Sequence, residues 1–146
     1  MSDGIRLVRV FDAPRERVWK EWTEPERFAD WFGGAEIEVP LSSVSMDVRV
    51  GGGWQLTMVT PRGKIFWHGA YEEVVEPSRL ALTICDGPPG ERGYELIVVD
   101  LVDLGDGQTE MRFEQRGRMT PDQYRAAGQG WSGFFDRVDE RIGAEA

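Results

Sequence analysis

The sequence predicts an α+β fold: one curved antiparallel sheet wrapped around a long C-terminal helix, with two short helices after the first strand. Three observations carry this expectation. From about Val44 to Gln115 apolar residues recur at every second position, the period of strands, and turn-forming clusters cut the stretch at short intervals. After Thr120-Pro121-Asp122 the period becomes that of a helix and holds to Ile142. Between an opening strand and the period-two stretch, two short helical segments each carry a proline near their start.

Ile5 to Phe11 is rich in branched and aromatic residues and reads as the first strand. It stops at Asp12-Ala13-Pro14, where Asp12 is the expected N-cap of a helix and Pro14 suits its first turn. Val18, Trp19 and Trp22 then recur at helical spacing. Thr23-Glu24-Pro25-Glu26 has the pattern of a capping box, so a second helix should carry Phe28, Trp31 and Phe32 and end at Gly33-Gly34.

The breaks in the period-two region are Gly51-Gly52-Gly53, Pro61-Arg62-Gly63, Glu76-Pro77-Ser78, Asp86 to Gly93, and Gly105-Asp106-Gly107. Centring hairpins on these turns gives testable registers, because facing residues must share a side of the sheet. Around Asp106, Leu101 should face Met111, Val99 face Phe113, and Ile97 face Gln115, with Asp100 opposite Arg112 on the other side. Around Glu76-Pro77, Leu82 should face Tyr71 and Ile84 face Gly69. Around Pro61-Arg62, Met58 should face Ile65, Leu56 face Trp67 and Trp54 face Gly69. One face is therefore large and apolar, and the other carries most of the charge.

In the last helix, Tyr124, Ala127, Trp131, Phe134, Phe135, Val138 and Ile142 fall within an arc of about 100°, which must be buried. Gly128, Gly130 and Gly133 each cost this helix about 1 kcal/mol relative to alanine, so packing on the sheet has to hold it.

A chain of 146 residues is expected to form one domain over 1–146, long enough to bury roughly 68–70% of its unfolded surface. With 40% apolar and 29% charged residues its composition is globular rather than disordered. Seventeen Lys and Arg against 26 Asp and Glu leave a net charge of −9, which opposes binding to nucleic acid or an anionic membrane, so neither is an expected partner. One cysteine forms no internal disulfide, and with a single histidine it cannot build an ordinary zinc site; a carboxylate site for a hard cation stays open, but no residues point to one, and no metal and no cofactor are expected. There is no leader pattern and no apolar run approaching the ~20 residues that span a bilayer, and a cytoplasmic location is the expectation.

Several segments together resemble one family. They are Arg9-Val10-Phe11-Asp12-Ala13-Pro14-Arg15-Glu16-Arg17-Val18-Trp19, then Thr23-Glu24-Pro25-Glu26 followed by Trp31-Phe32-Gly33, and Asp47-Val48-Arg49-Val50-Gly51-Gly52 before Trp54. Gly69-Ala70-Tyr71-Glu72-Glu73-Val74 ahead of Pro77-Ser78-Arg79-Leu80, and Gly130-Trp131, complete the set. In this order they resemble the START-like (SRPBCC) superfamily, in its branch of homologues of the C-terminal domain of the heat-shock-protein-90 ATPase activator, over about residues 5 to 142. The resemblance implies a helix-grip fold, of the Bet v-like or START-like kind, whose interior cavity binds hydrophobic small molecules. Members of this branch are mostly single-domain bacterial proteins.

The candidate ligand-binding residues are Trp54, Leu56, Trp67, Gly69, Tyr71, Leu82, Met111 and Phe113 on the sheet, with Trp131 and Phe135 on the last helix. Small Gly69 between bulky Trp67 and Tyr71 is expected to leave a void, although plain core packing is the commoner fate of each large aromatic. His68 and Cys85 should lie opposite each other on the convex face, outside the cavity, as a half-exposed polar pair rather than a nucleophile and its base. Asp47 and Arg49 share a face, either as a polar floor of the cavity or as a solvated charge pair; the second is favoured. Glu73 shares parity with Trp67 and Tyr71, so it is either a buried acid facing the cavity or a residue of its rim. Phe66, Ala70 and Val98 on the convex face suggest a homodimer.

Three functions follow. The first is binding or carriage of an apolar or aromatic small molecule. The second is an enzyme of cyclase, aromatase or hydrolase type, with Glu73 or Tyr71 as proton-transfer group. The third is a chaperone-linked interaction module using an exposed apolar patch.

Overall fold

The alternating stretch forms strands whose neighbours are all antiparallel. The computed structural model describes residues 4–34, 36–86 and 94–145. The strands are β1 (Ile5–Phe11), β2 (Ser45–Met46), β3 (Gly53–Thr60), β4 (Gly63–Val75), β5 (Arg79–Asp86), β6 (Glu95–Gly105) and β7 (Gln108–Arg116). They make one sheet in the order β1-β7-β6-β5-β4-β3-β2. Successive strands from β2 to β7 are neighbours, and β1 closes the far edge against β7, with Leu7 opposite Phe113. The turn expected from Asp86 to Gly93 falls largely on residues outside those described.

The registers are those the turns dictate. Leu101 pairs with Met111, Val99 with Phe113, Ile97 with Gln115 and Asp100 with Arg112. Met58 pairs with Ile65, Leu56 with Trp67 and Trp54 with Gly69. Tyr71 pairs with Leu82 and His68 with Cys85, a register that sets Gly69 across from Ile84. The β6–β7 hairpin is tight because Asp106 and Gly107 both take positive φ, 54° and 76°, the pair of conformations that a two-residue turn needs to match the strand twist.

Two pairings carry a register shift, one between Asp103 and Gly105 beside the β6–β7 turn and one within β4. A bulge between Tyr71 and Glu73 shifts the β4–β5 register by one, so that Glu73 pairs with Ala81. A one-residue shift sends every later side chain to the opposite face. Glu73 therefore does not face the interior as parity suggests; half-exposed, it is bonded to Arg79, which also holds Asp100 at 2.9 Å.

Helices α1 (Arg15–Thr23) and α2 (Pro25–Trp31) follow β1, and α3 runs over Pro121–Glu145. The expected side-chain caps of the first two are not made. The α1 N-cap is Pro14 rather than Asp12, and the α2 N-cap is Glu24, neither with a side-chain cap bond. Thr23 is the last residue of α1 and turns its hydroxyl back to the Trp19 carbonyl at 2.9 Å, which removes it from the capping box. At α3 the reciprocal box does form: Gln123 N–H donates to Thr120 Oγ1 at 3.1 Å and Thr120 N–H to Gln123 Oε1 at 2.8 Å.

The buried side of α3 is Tyr124, Trp131, Phe135, Val138 and Ile142. Its rings pack on the concave face of the sheet, Phe113 lying 4.7 Å from Trp131 and 5.2 Å from Phe135. Trp22 from α1 stacks on Phe113 and Trp131 at 6.2 Å, and Trp31 from α2 meets it edge-on at 4.9 Å. The core is therefore an aromatic cluster joining all three helices to β7.

Charge fastens the same helices. Glu21, on α1, is wholly buried, and its Oε1 accepts from Arg141 Nε at 2.6 Å while Oε2 accepts from Arg17 at 2.7 Å and Arg141 at 3.2 Å. Arg27 and Glu145 extend this cluster, and Arg141 also bonds Asp30 of α2. Arg9 reaches from β1 to Asp136 of α3 at 2.9 Å and to the Ser132 carbonyl at 3.1 Å.

Candidate ligand cavity

Between the first half of α3 and the end of the sheet where β5, β6 and β7 meet lies a cavity of about 510 Å³. Its apolar wall is Phe32, Trp67, Ile84, Met119, Ala127, Trp131 and Phe134. The rings brace one another: Phe32 lies 5.9 Å from Trp67, 5.8 Å from Trp131 and 5.5 Å from Phe134. Cys85, Asp86, Glu95, Gln115, Arg118, Gln123 and Gly130 complete the lining. This volume and mixture suit a small molecule held mainly by apolar contact and oriented by a few polar groups.

The polar wall is a chain of bonds. The Trp131 indole N–H donates to Gln115 Oε1 at 2.8 Å, and Gln115 Nε2 donates to Glu95 Oε1 at 3.3 Å. The backbone N–H of Arg118 donates to Glu95 Oε2 at 2.9 Å. Beside this chain the phenol of Tyr124 is pushed above its ordinary pKa, by burial first and by Glu95 next. The Trp67 indole N–H is buried and has no acceptor among the described residues.

Of the residues expected to bind ligand, Trp67 and Trp131 are in the cavity wall. Trp54, Leu56, Gly69, Tyr71, Leu82, Met111, Phe113 and Phe135 are not in it. Gly69 corrects the reasoning most sharply. A Cβ there would sit 1.8 Å from the Thr83 carbonyl oxygen and 2.7 Å from the Trp54 indole nitrogen, so the missing side chain marks a close approach and no void. Trp54 fills that space by donating its N–H to the Thr83 carbonyl at 2.9 Å. Leu56, Met111, Phe113 and Phe135 are consumed by the core. Tyr71 is 1% exposed, and its hydroxyl has no partner among the described residues. Burial, and secondarily the nearby charge of Asp47, pushes its pKa well above the ordinary phenol value.

The lining residues missed from the sequence are mostly polar or lie at element ends. Gln115 carried a usable signal: strand alternation places it on the apolar face after Met111 and Phe113, where a polar side chain needs a reason. Phe32 was expected on the second helix and Phe134 in the buried stripe of the last, but neither as a wall. Glu95, Arg118 and Gln123 reach the cavity only through the packing of α3 on the sheet end.

The remaining candidates sort as follows. Asp47 and Arg49 form an exposed ion pair at 2.8 Å, outside any strand. His68 and Cys85 do lie opposite each other, but both are buried rather than half-exposed, and Cys85 borders the cavity although alternation puts it on the other face. His68 stacks on Phe66 at 5.2 Å and meets the edge of Tyr94 at 5.5 Å. Val98 is buried, so of the expected convex patch Phe66 is the exposed large member. Among the described residues no three His, Cys, Asp or Glu cluster as metal ligands, and no helix is long and apolar enough to cross a membrane.

The sequence from residue 12 to residue 143 matches the family described as activator of Hsp90 ATPase homolog 1-like protein. The chain belongs to the AHSA1 family. Its fold is shared with solved structures. A protein of Chromobacterium violaceum superposes with a TM-score of 0.82 at 25% identity, covering 96% of each chain. An AHSA1 protein of Silicibacter pomeroyi gives 0.85 at 18% identity, covering 98% of this chain and 99% of that one. A Plasmodium falciparum protein described as an Hsp90 activator gives 0.73 at 16% identity, covering 96% of each. No curated protein matches the sequence. The helix-grip, START-like architecture of this AHSA1 chain is that of a fold generally used to bind ligands.

Proposed function

We propose that this AHSA1 protein, acting as a single domain, binds and carries an apolar small molecule in the cavity between its sheet and C-terminal helix. The observation that carries the reading is the cavity of about 510 Å³ walled by Phe32, Trp67, Trp131 and Phe134. Aromatic walls bury a flat apolar ligand efficiently, at about 25 cal/mol per Å² of surface removed from water. Carriage is favoured over catalysis because Tyr71 and Glu73, the proton-transfer groups suggested by the sequence, are not among the lining residues, and Glu95 already accepts a bond at each oxygen. It is favoured over an interaction module because the space between sheet and α3 holds a cavity, whereas that module was expected to pair a filled core with an exposed apolar patch.

Titration with the neutral probe N-phenyl-1-naphthylamine tests the proposal through probe emission and tryptophan quenching. Micromolar affinity, about −8 kcal/mol, is expected. In Ala127→Phe, where the new ring occupies the cavity, affinity should drop at least tenfold with the fold retained. No binding to the native protein, or unchanged binding to this variant, refutes it.

A further inference from the structure

We infer that the ligand is an apolar molecule ending in an anionic acceptor, of the aromatic carboxylate class, with Arg118 as the residue that selects it. The inference rests on the cavity reading and asks which polar groups of the wall are still available to a guest.

Each side-chain acceptor of the wall whose bonding the structure shows already takes a bond from the protein. An indole N–H can only donate, so the Gln115 side-chain oxygen must face Trp131, and its amide nitrogen then points to Glu95. The Gln123 side-chain oxygen is likewise committed to the backbone N–H of Thr120 in the α3 capping box. Both Glu95 oxygens accept bonds, one from Gln115 and one from the Arg118 backbone. Asp86 has interactions of its own.

What remains is a set of donors. Among the described residues the Arg118 guanidinium makes no ion pair or side-chain hydrogen bond, whereas most arginines of this acidic protein are paired, Arg9, Arg17, Arg27 and Arg141 each with two or more carboxylates. The Gln123 amide nitrogen is uncommitted, and Gln115 has a second N–H beyond the one given to Glu95. Although Asp86 and Glu95 also line the cavity, its uncommitted side-chain groups are donors, and the Arg118 guanidinium among them is complementary to carboxylate oxygens, which a planar guanidinium can hold in bidentate fashion. The apolar body of such a ligand would lie against Trp67 and Phe134.

Three probes of one shape test this: 2-naphthoate, neutral 2-naphthamide and cationic 2-naphthylmethylammonium, titrated calorimetrically at pH 7.5 in 50 mM and 500 mM NaCl. Naphthoate should bind about fivefold tighter than the amide at low salt, a modest ratio because Arg118 is solvent-exposed, and salt should shrink the gap. In Arg118→Gln naphthoate should weaken to the level of the amide, whose own affinity changes less than twofold. Equal binding of naphthoate and amide, tightest binding of the ammonium, or an unchanged naphthoate affinity in Arg118→Gln overturns the inference and leaves the cavity reading standing. If N-phenyl-1-naphthylamine binds and naphthoate does not, the inference alone fails. Failure of all four probes removes the cavity reading as well.

Discussion

Replacing Glu21 with glutamine should be among the most damaging near-isosteric changes in this protein. The carboxylate is fully buried, and its oxygens are held at 2.6 Å by Arg141 and 2.7 Å by Arg17. Glutamine keeps the shape but removes the charge, and turns an NH2 group toward guanidinium donors that need an acceptor. Breaking a buried ion pair from one side costs about 3–5 kcal/mol when the partner is left without water. Here Arg141, Arg17 and Arg27 retain 14%, 17% and 27% exposure, and Asp30 and Glu145 remain as alternative partners. The expected loss therefore falls to about 2–4 kcal/mol. For a chain of this length, about 2–4 °C per kcal/mol makes this a drop in Tm of roughly 10 °C. Urea unfolding at pH 7, with the m-value checked for constancy, measures it directly. A loss below about 1 kcal/mol would show that the cluster is a solvated surface network and does not tie α1 to the end of α3.

Gly69→Ala should destabilise by about 2–5 kcal/mol, combining overpacking against the Thr83 carbonyl with displacement of the Trp54 bond to it, and a neutral result in denaturant melts would restore the void once expected there. Tyr71→Phe should be neutral or stabilise by about 1 kcal/mol at pH 7, because the hydroxyl it removes is buried without a partner. The folded pKa of Tyr71 is raised above the unfolded value of 10.0, so below pH 10 the phenol is neutral in both states and stability does not depend on its titration. Above pH 10 the unfolded phenol ionises while the folded one does not, and stability falls by about 1.4 kcal/mol per pH unit. Urea melts between pH 9 and 11 should show a shallower alkaline decline in Tyr71→Phe, and superimposable declines would sink the argument.

The sheet, its registers and the buried stripe of α3 were legible in the sequence because each depends on short-range arithmetic. A hairpin centre sets which residues face each other, and alternation carries that parity along both strands, so Val99 opposite Phe113 follows from centring the hairpin on Asp106, a register the shift between Asp103 and Gly105 maintains. The same arithmetic failed at Glu73, where one extra residue in the Tyr71–Glu73 bulge inverted the face; nothing in Tyr71-Glu72-Glu73 announces it. The Thr120 cap of α3 was legible, but the expected side-chain caps of α1 and α2 are not made; at α2, Thr23 had a competing acceptor in the Trp19 carbonyl one turn back.

The site was decided by tertiary structure. A cavity is a small difference between the volume enclosed by α2, α3 and the sheet and the volume their side chains fill, and no single residue encodes a difference of that kind. Gly69 illustrates the point: its lack of bulk looked like room, yet the carbonyl of Thr83 and the ring of Trp54 had taken it. The Glu21–Arg141 pair, 120 positions apart in the chain, was equally invisible, because a pairing of that range exists only once α3 has docked.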